Sequence, residues 1–288
     1  IDALRADRIV LAPAVLGAPV EGRFQAALSL AGGEGSANLV LERTDGPESR
    51  IALDAAYSNA STVLRLDLTA AESAVGIAAR MLGLPGEPSI DLAIRGEGPL
   101  TDFAAEVRLA SDGTDRLSGP VTLTQQDDGA LRFAADLAGN LAPLFLPDYA
   151  AFLGDEVGLK VDGRRWPSGR VALDRLAMQA RALALDGTLS LAADGLPQAF
   201  ALTGRIGTPD SAPVLLPLPG EVRVTGADIT LSFDAAKDNG WSGRAQLTGL
   251  ETGDLRMDRA TLAGSGRIDR ISGRSGLGAT LTFDTEGL

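Results

Sequence analysis

The stretch Leu183–Ile206, LALDGTLSLAADGLPQAFALTGRI, carries the pattern that decides the fold. Leu183 and Leu185 share one parity, as do Leu189 and Leu191 beyond Asp186-Gly187, and Asp194-Gly195 then leads to Phe200, Leu202 and Ile206. Apolar residues at period two give each segment one oily face and one small or polar face, which is a half-buried antiparallel strand. Asp-Gly tolerates the positive φ of tight hairpin turns, so both dipeptides are read as turns. The window is a meander of short strands.

Its unit recurs outward in both directions. Toward the N-terminus the alternation runs through Phe24 and Leu28, Leu39 and Leu41, Ile51 and Leu53, and Leu64, Leu66 and Leu68, with turn signals at Gly32-Gly33 and Asp45-Gly46-Pro47. It resumes at Ile90, Leu92 and Ile94, at Phe103 and Val107, at Val121 and Leu123, and at Leu131 and Phe133. Gly96–Pro99, Asp112-Gly113 and Asp128-Gly129 read as the turns between these runs. Toward the C-terminus it continues through Leu159 and Val161, Leu173, Leu231 and Phe233, and closes on Leu281 and Phe283 in mid-strand, as an internal piece of a longer protein would. Parity slips between Leu173 and Leu176, which requires a bulge or a break. Pro209–Pro219 holds four prolines and is expected at an edge or crossover.

Two stretches leave the pattern. Thr69 and Glu72 have the spacing of a capping box, and Ala71, Ala74, Val75, Ala78 and Leu82 then fall at helical spacing before Gly83 and Pro85. This predicts a helix over 70–83. The run 141–154, LAPLFLPDYAAFLG, predicts a second short helix near 146–153, lying as a lid over a sheet end.

Composition narrows the function. The chain has 288 residues, of which 45% are hydrophobic but only 4% aromatic; scarce rings suit a thin apolar layer better than a thick core. A net charge of -12 argues against nucleic acid, whose phosphates need a basic footprint. There is no Cys and no His, so a thiolate metal site, a cysteine nucleophile, the commonest metal ligand and the commonest general base are all missing. No nucleophile elbow, phosphate loop or dinucleotide fingerprint occurs, and the carboxylates fall in Asp-Gly turns or on polar strand parities. We therefore expect no catalytic residue, no metal and no cofactor. Gly163–Arg170, GRRWPSGR, joins three arginines to a tryptophan; it reads as a solvated turn, with a phosphate group as its possible ligand.

The total is about eighteen to twenty strands and two short helices, more than an open twisted sheet holds without curling or splitting. A one-sided apolar sheet must cover that side with itself or with something else. The pattern fits a closed sandwich or barrel, and it fits a trough whose oily lining is the functional surface. Lipid suits a trough, at about 0.8 kcal/mol per buried methylene.

The Leu-x-Leu-Asp-Gly-x-Leu-x-Leu unit of Leu183–Leu191, its continuation to Ile206, and AESAVGIAARMLGLPG of Ala71–Gly86 followed by IRGEGPLTDFAAEV resemble the TamB family in its alphaproteobacterial style. These are the inner-membrane-anchored subunits of the translocation and assembly module, similar to AsmA-like and bridge-like lipid transfer proteins. The resemblance implies an all-β fold: one continuous antiparallel sheet over 1–288, curled into a U-shaped β-taco with a hydrophobic interior. It implies a non-enzymatic, periplasmic conduit for phospholipid between inner and outer membrane, anchored by a segment outside this fragment. It also implies an Omp85-family, TamA-like outer-membrane partner, met through other regions; the alternative is a factor assembling outer-membrane barrels and autotransporters. The groove lining is then expected from Phe24, Leu28, Leu39, Leu41, Leu53, Leu66, Leu92, Phe103, Val107, Leu123 and Phe133, and from Leu159, Leu173, Leu185, Leu189, Leu191, Leu202, Leu231, Phe233 and Leu281.

Overall fold

The computed structural model describes residues 3–11, 19–145, 147–218, 220–271 and 274–286, with side chains for all of these except 11, 147 and 269–286. The chain is all-β and antiparallel, with two short helices among the described residues, α1 (Ile77–Met81) and α2 (Ala150–Leu153). It divides into two compact units, residues 1–126 with 135–145, and residues 127–134 with 146–288.

The first unit is a meander of β1 (Leu4–Leu11), β2 (Val20–Ala31), β3 (Glu34–Arg43), β4 (Ser49–Ser58), β5 (Val63–Glu72), β6 (Ile90–Pro99), β7 (Asp102–Ser111) and β8 (Thr114–Gln125), each paired with the next. Register carries the sequence alternation from strand to strand. Phe24 stands opposite Leu41, Leu41 opposite Ile51, Ile51 opposite Ala70, Ala70 opposite Leu92, and Leu92 opposite Leu109. The opposite parity is polar, with Arg23, Glu42 and Arg50 in one such line. β9 (Leu131–Gly139) has residues in both units.

In the second unit β10 (Val157–Arg165), β11 (Val171–Gln179), β12 (Leu183–Leu191) and β13 (Pro197–Ile206) form a meander. β14 (Val214–Leu215) and β15 (Arg223–Val224) make a small hairpin, and β13 pairs directly with β16 (Gly226–Asp234) past it. β17 (Gly240–Thr252), β18 (Leu255–Ile271) and β19 (Arg274–Glu286) complete the ladder. The proline-rich stretch thus stands outside the main ladder, but it is more than an edge loop, because Val214, Leu215 and Leu216 within it are buried.

Several local expectations hold. Gly32-Gly33 and Asp112-Gly113 are turns at positive φ, and the β11–β12 register shifts between Leu173 and Leu176. Others are corrected. Asp186-Gly187 does not turn: Asp186 pairs with Thr203 and Gly187 with Leu202 inside an unbroken β12. A Cβ on Gly187 would lie 2.4 Å from Leu202 Cδ2 and 2.6 Å from the Ala201 carbonyl oxygen, so this glycine gives its neighbour room instead of reversing the chain. Gly96–Pro99 likewise belongs to β6, and the chain turns at Leu100-Thr101.

The helix expected over 70–83 is reduced to Ile77–Met81. Thr69–Glu72 stay in β5, where Ala70 and Ala71 are laddered to β4 and β6. Glu72 still caps the helix from outside it, accepting hydrogen bonds from the Ile77 and Ala78 amides at 2.6 and 2.7 Å. Near 146–153 the helix is one turn, Ala150–Leu153, preceded by a 3-10 turn at Pro147–Tyr149; Leu146 lies outside the described residues.

In the first unit part of the apolar parity is left uncovered, unlike the inner face of a closed sandwich. Leu28 and Ile51, on the apolar parity of the first unit, are 45% and 39% exposed.

Candidate functional site

The candidate site is the oily side of each unit. In the second unit it is built of cross-strand rows. Leu173, Leu189, Phe200, Phe233 and Trp241 stand opposite one another in turn. One step along lie Leu176, Gly187, Leu202, Leu231, Gly243 and Gly264, and beyond them Met178, Leu185, Gly204, Ile229, Ala245 and Leu262. Successive strands therefore present aliphatic side chains to one side over many strands, and Phe200 and Phe233 stack at 5.6 Å.

Glycines set the relief of this surface. Gly243 and Gly264 remove two side chains in succession, leaving a furrow of about 530 Å³ walled by Ile229, Leu231, Trp241, Ala245 and Leu262. In the first unit Gly35, Ala37 and Ala55 floor a furrow of about 480 Å³ between Leu28, Leu30, Tyr57 and Leu64. Other glycines are filled: Phe103 lies over Gly96, and Phe133 over Gly163, where a Cβ would approach the ring Cζ to 2.6 and 2.7 Å.

The reverse face is small and polar and carries the ion pairs. Arg65 donates to both Glu97 oxygens at 3.0 and 3.1 Å, Arg164 to both Asp174 oxygens at 2.9 and 3.1 Å, and Arg95 to Asp67 at 2.9 Å. The Arg65 hydrogen bonds hold the Glu97 carboxyl below the usual carboxylate range, and those of Arg23 do the same for Glu42. A hollow of about 730 Å³ is lined by polar-parity residues such as Asp174, Thr188, Ser190, Ser232 and Asp234, with Lys237 beside it, and by the Leu173–Leu189–Phe200–Phe233–Trp241 row between them. Asp174 and Asp234 in it are committed to Arg164 and Lys237.

The expected lining residues fall on the oily sides. Phe24, Leu41 and Leu92 share one row of the first unit; Leu39 and Leu53 face each other in the next, which ends at Ile94 and Val107. Leu28 and Leu66 belong to the row through Ala37 and Ala55, and Phe103 stands opposite Leu123. In the second unit Leu159 reaches Leu185 through Met178, and Leu173, Leu189, Leu202, Leu231 and Phe233 occupy the rows above, with Leu191 opposite Val171. The Leu281 side chain lies outside the described residues; its backbone pairs with Gly264. Trp241, Phe200, Ile229 and Tyr57 were missing from the expected lining, although Phe200 and Ile229 share parity with residues that were in it.

Of the stretch Gly163–Arg170, expected as a turn, Gly163–Arg165 belong to β10, and Trp166–Gly169 form a β-turn closed by Gly169 N–H donating to the Trp166 carbonyl at 2.9 Å. Arg170 stacks over Trp166 at 4.0 Å and Arg164 at 5.4 Å. Among the described residues no cluster of carboxylates could hold a metal ion, and no helix is long and apolar enough to cross a membrane. No known protein family, curated protein or solved structure matches the chain.

Proposed function

We propose that the chain carries lipid: its oily sides shelter phospholipid acyl chains, and the protein acts as a non-enzymatic conduit of the TamB kind, working in the periplasm between two membranes. The single observation behind this reading is that each unit has one predominantly apolar strand parity that stays partly exposed over much of its length and is furrowed by glycine. An apolar face of that size left to water marks a binding surface. A sixteen-carbon chain laid on it gains up to about 12 kcal/mol over water, at about 0.8 kcal/mol per methylene, with no residue making a specific bond.

Native mass spectrometry of the purified 288-residue chain tests it. Phospholipid at near-stoichiometric level is expected, and Leu202→Asp is expected to strip most of it while far-ultraviolet circular dichroism is retained, because a half-exposed site can hydrate one charge. A lipid-free protein that instead captures unfolded outer-membrane barrel segments would replace this reading with an assembly factor.

A further inference from the structure

The two ends of the second unit's strands differ. At the end holding Val157 and Ile206, α2 packs on β14, and Phe152 and Leu153 accept hydrogen bonds through their carbonyls from Ala182 and Arg181 in the β11–β12 turn. The apolar row there is largely covered: Val157, Ile206, Ala227 and Ala260 are buried, while Leu183 and Leu247 between them are partly exposed. At the other end the connections are short turns, 166–170, 192–196 and 235–239, and Leu189, Phe200 and Trp241 are partly exposed, with Phe233 between the two rings buried.

Chemistry changes in the same direction. Arg165, opposite Val171, is an exposed cation on the oily parity itself. In the turn that follows, Arg170 stacks on Trp166 on the parity of Arg164, a pose that presents the guanidinium edge to a phosphate at the rim. Both tryptophans of the chain are at this end, where amphipathic rings suit a boundary between hydrocarbon and water. Asp128, Asp194 and Asp238 lie in turns at the same end, so the rim carries both signs and fits a headgroup that does too.

Length agrees. Leu183 to Leu191 spans eight residue steps, about 26 Å at about 3.3 Å each, and half of a bilayer with its headgroups is about 20 to 22 Å. The oily face is one lipid long, not two.

We propose that this face holds zwitterionic phospholipid with its chains lying along the strands, methyl ends toward the covered end and phosphate at the Arg165–Arg170 turn. The proposal rests on the lipid-carrying reading above. Trp166→Phe leaves Trp241 as the sole tryptophan, and this protein is loaded from phosphatidylcholine vesicles brominated either near the ester or near the methyl end of the chain. Loss of Trp241 emission should be larger with the ester-side bromine. Leu185→Trp, made with both native tryptophans changed to Phe, reports from deeper on the face and should reverse the order. Arg165→Gln with Arg170→Gln should weaken phosphatidylcholine binding roughly tenfold, as expected when charge-assisted hydrogen bonds are lost. Lipid counted in the same samples separates the failures. Bound lipid with equal or inverted quenching, or unchanged affinity in the double Gln variant, overturns the orientation and leaves the conduit standing; no bound lipid overturns both.

Discussion

The two units have the same strand grammar and bury it differently. In the first, connections are mostly tight turns, α1 contributes one fully buried residue, Ala79, and the oily parity reaches water at Leu28, Leu30 and Ile51. In the second, residues 207–225 and α2 bring Phe152, Leu153, Val214, Leu215 and Val224 together as a small core at one strand end. Alternation makes a face; what the connections carry decides whether it is covered. The second unit can therefore anchor itself by a conventional core, whereas the first depends more on its ladders.

The contrast breaks hardest at that core. Val224 is 0% exposed, so Val224→Asp would bury an unpaired charge and should cost more than about 3 kcal/mol, read as loss of the second unit's urea transition. Leu30, 86% exposed on the oily parity of the first unit, should accept Asp within about 0.5 kcal/mol. Equal losses would show that the faces are buried alike.

Strand glycines probe what the units share. Gly96→Ala would set a Cβ 2.5 Å from the Ala104 carbonyl oxygen and 2.6 Å from Phe103 Cζ, and Gly187→Ala meets Leu202 and Ala201 as closely. Each should cost about 1 to 3 kcal/mol by overpacking, one in each unit, measured by urea denaturation. A neutral result at either would mean that the covering side chain simply moves aside.

The smallest effect is electrostatic. Glu97 and Glu42 of the first unit have carboxyl pKa values lowered by arginine hydrogen bonds. A depressed folded-state value adds stability that is present above the ordinary carboxylate value and is lost as pH falls through the lowered one, hence below about pH 4. The first unit's urea midpoint should drop slightly from pH 5 to pH 3, and Glu97→Gln should remove part of the drop. Glu97 is exposed and Glu42 partly so, so added salt should shrink it further.

Much of this was legible from alternation alone, because period two maps directly onto the sides of a strand: the expected lining residues with described side chains share the oily sides, and the Leu173–Leu176 slip became a register shift. Asp186-Gly187 was misread because positive φ is a permission that only the neighbouring strand takes up or declines; here Leu202 needed the space. Thr69–Glu72 was misread because a capping box of small residues fits a ladder equally well, and Glu72 could cap from the strand's end. The Gly243–Gly264 furrow had no sequence signal, since two glycines on different strands become neighbours only through register.

By itself the sequence determined that this chain makes strands with one oily and one polar side, since side-chain direction follows from backbone geometry residue by residue. Tertiary structure alone decided which glycines turn, where furrows open and which strand end is covered. Those depend on pairings between residues far apart along the chain, and such pairings leave no local trace.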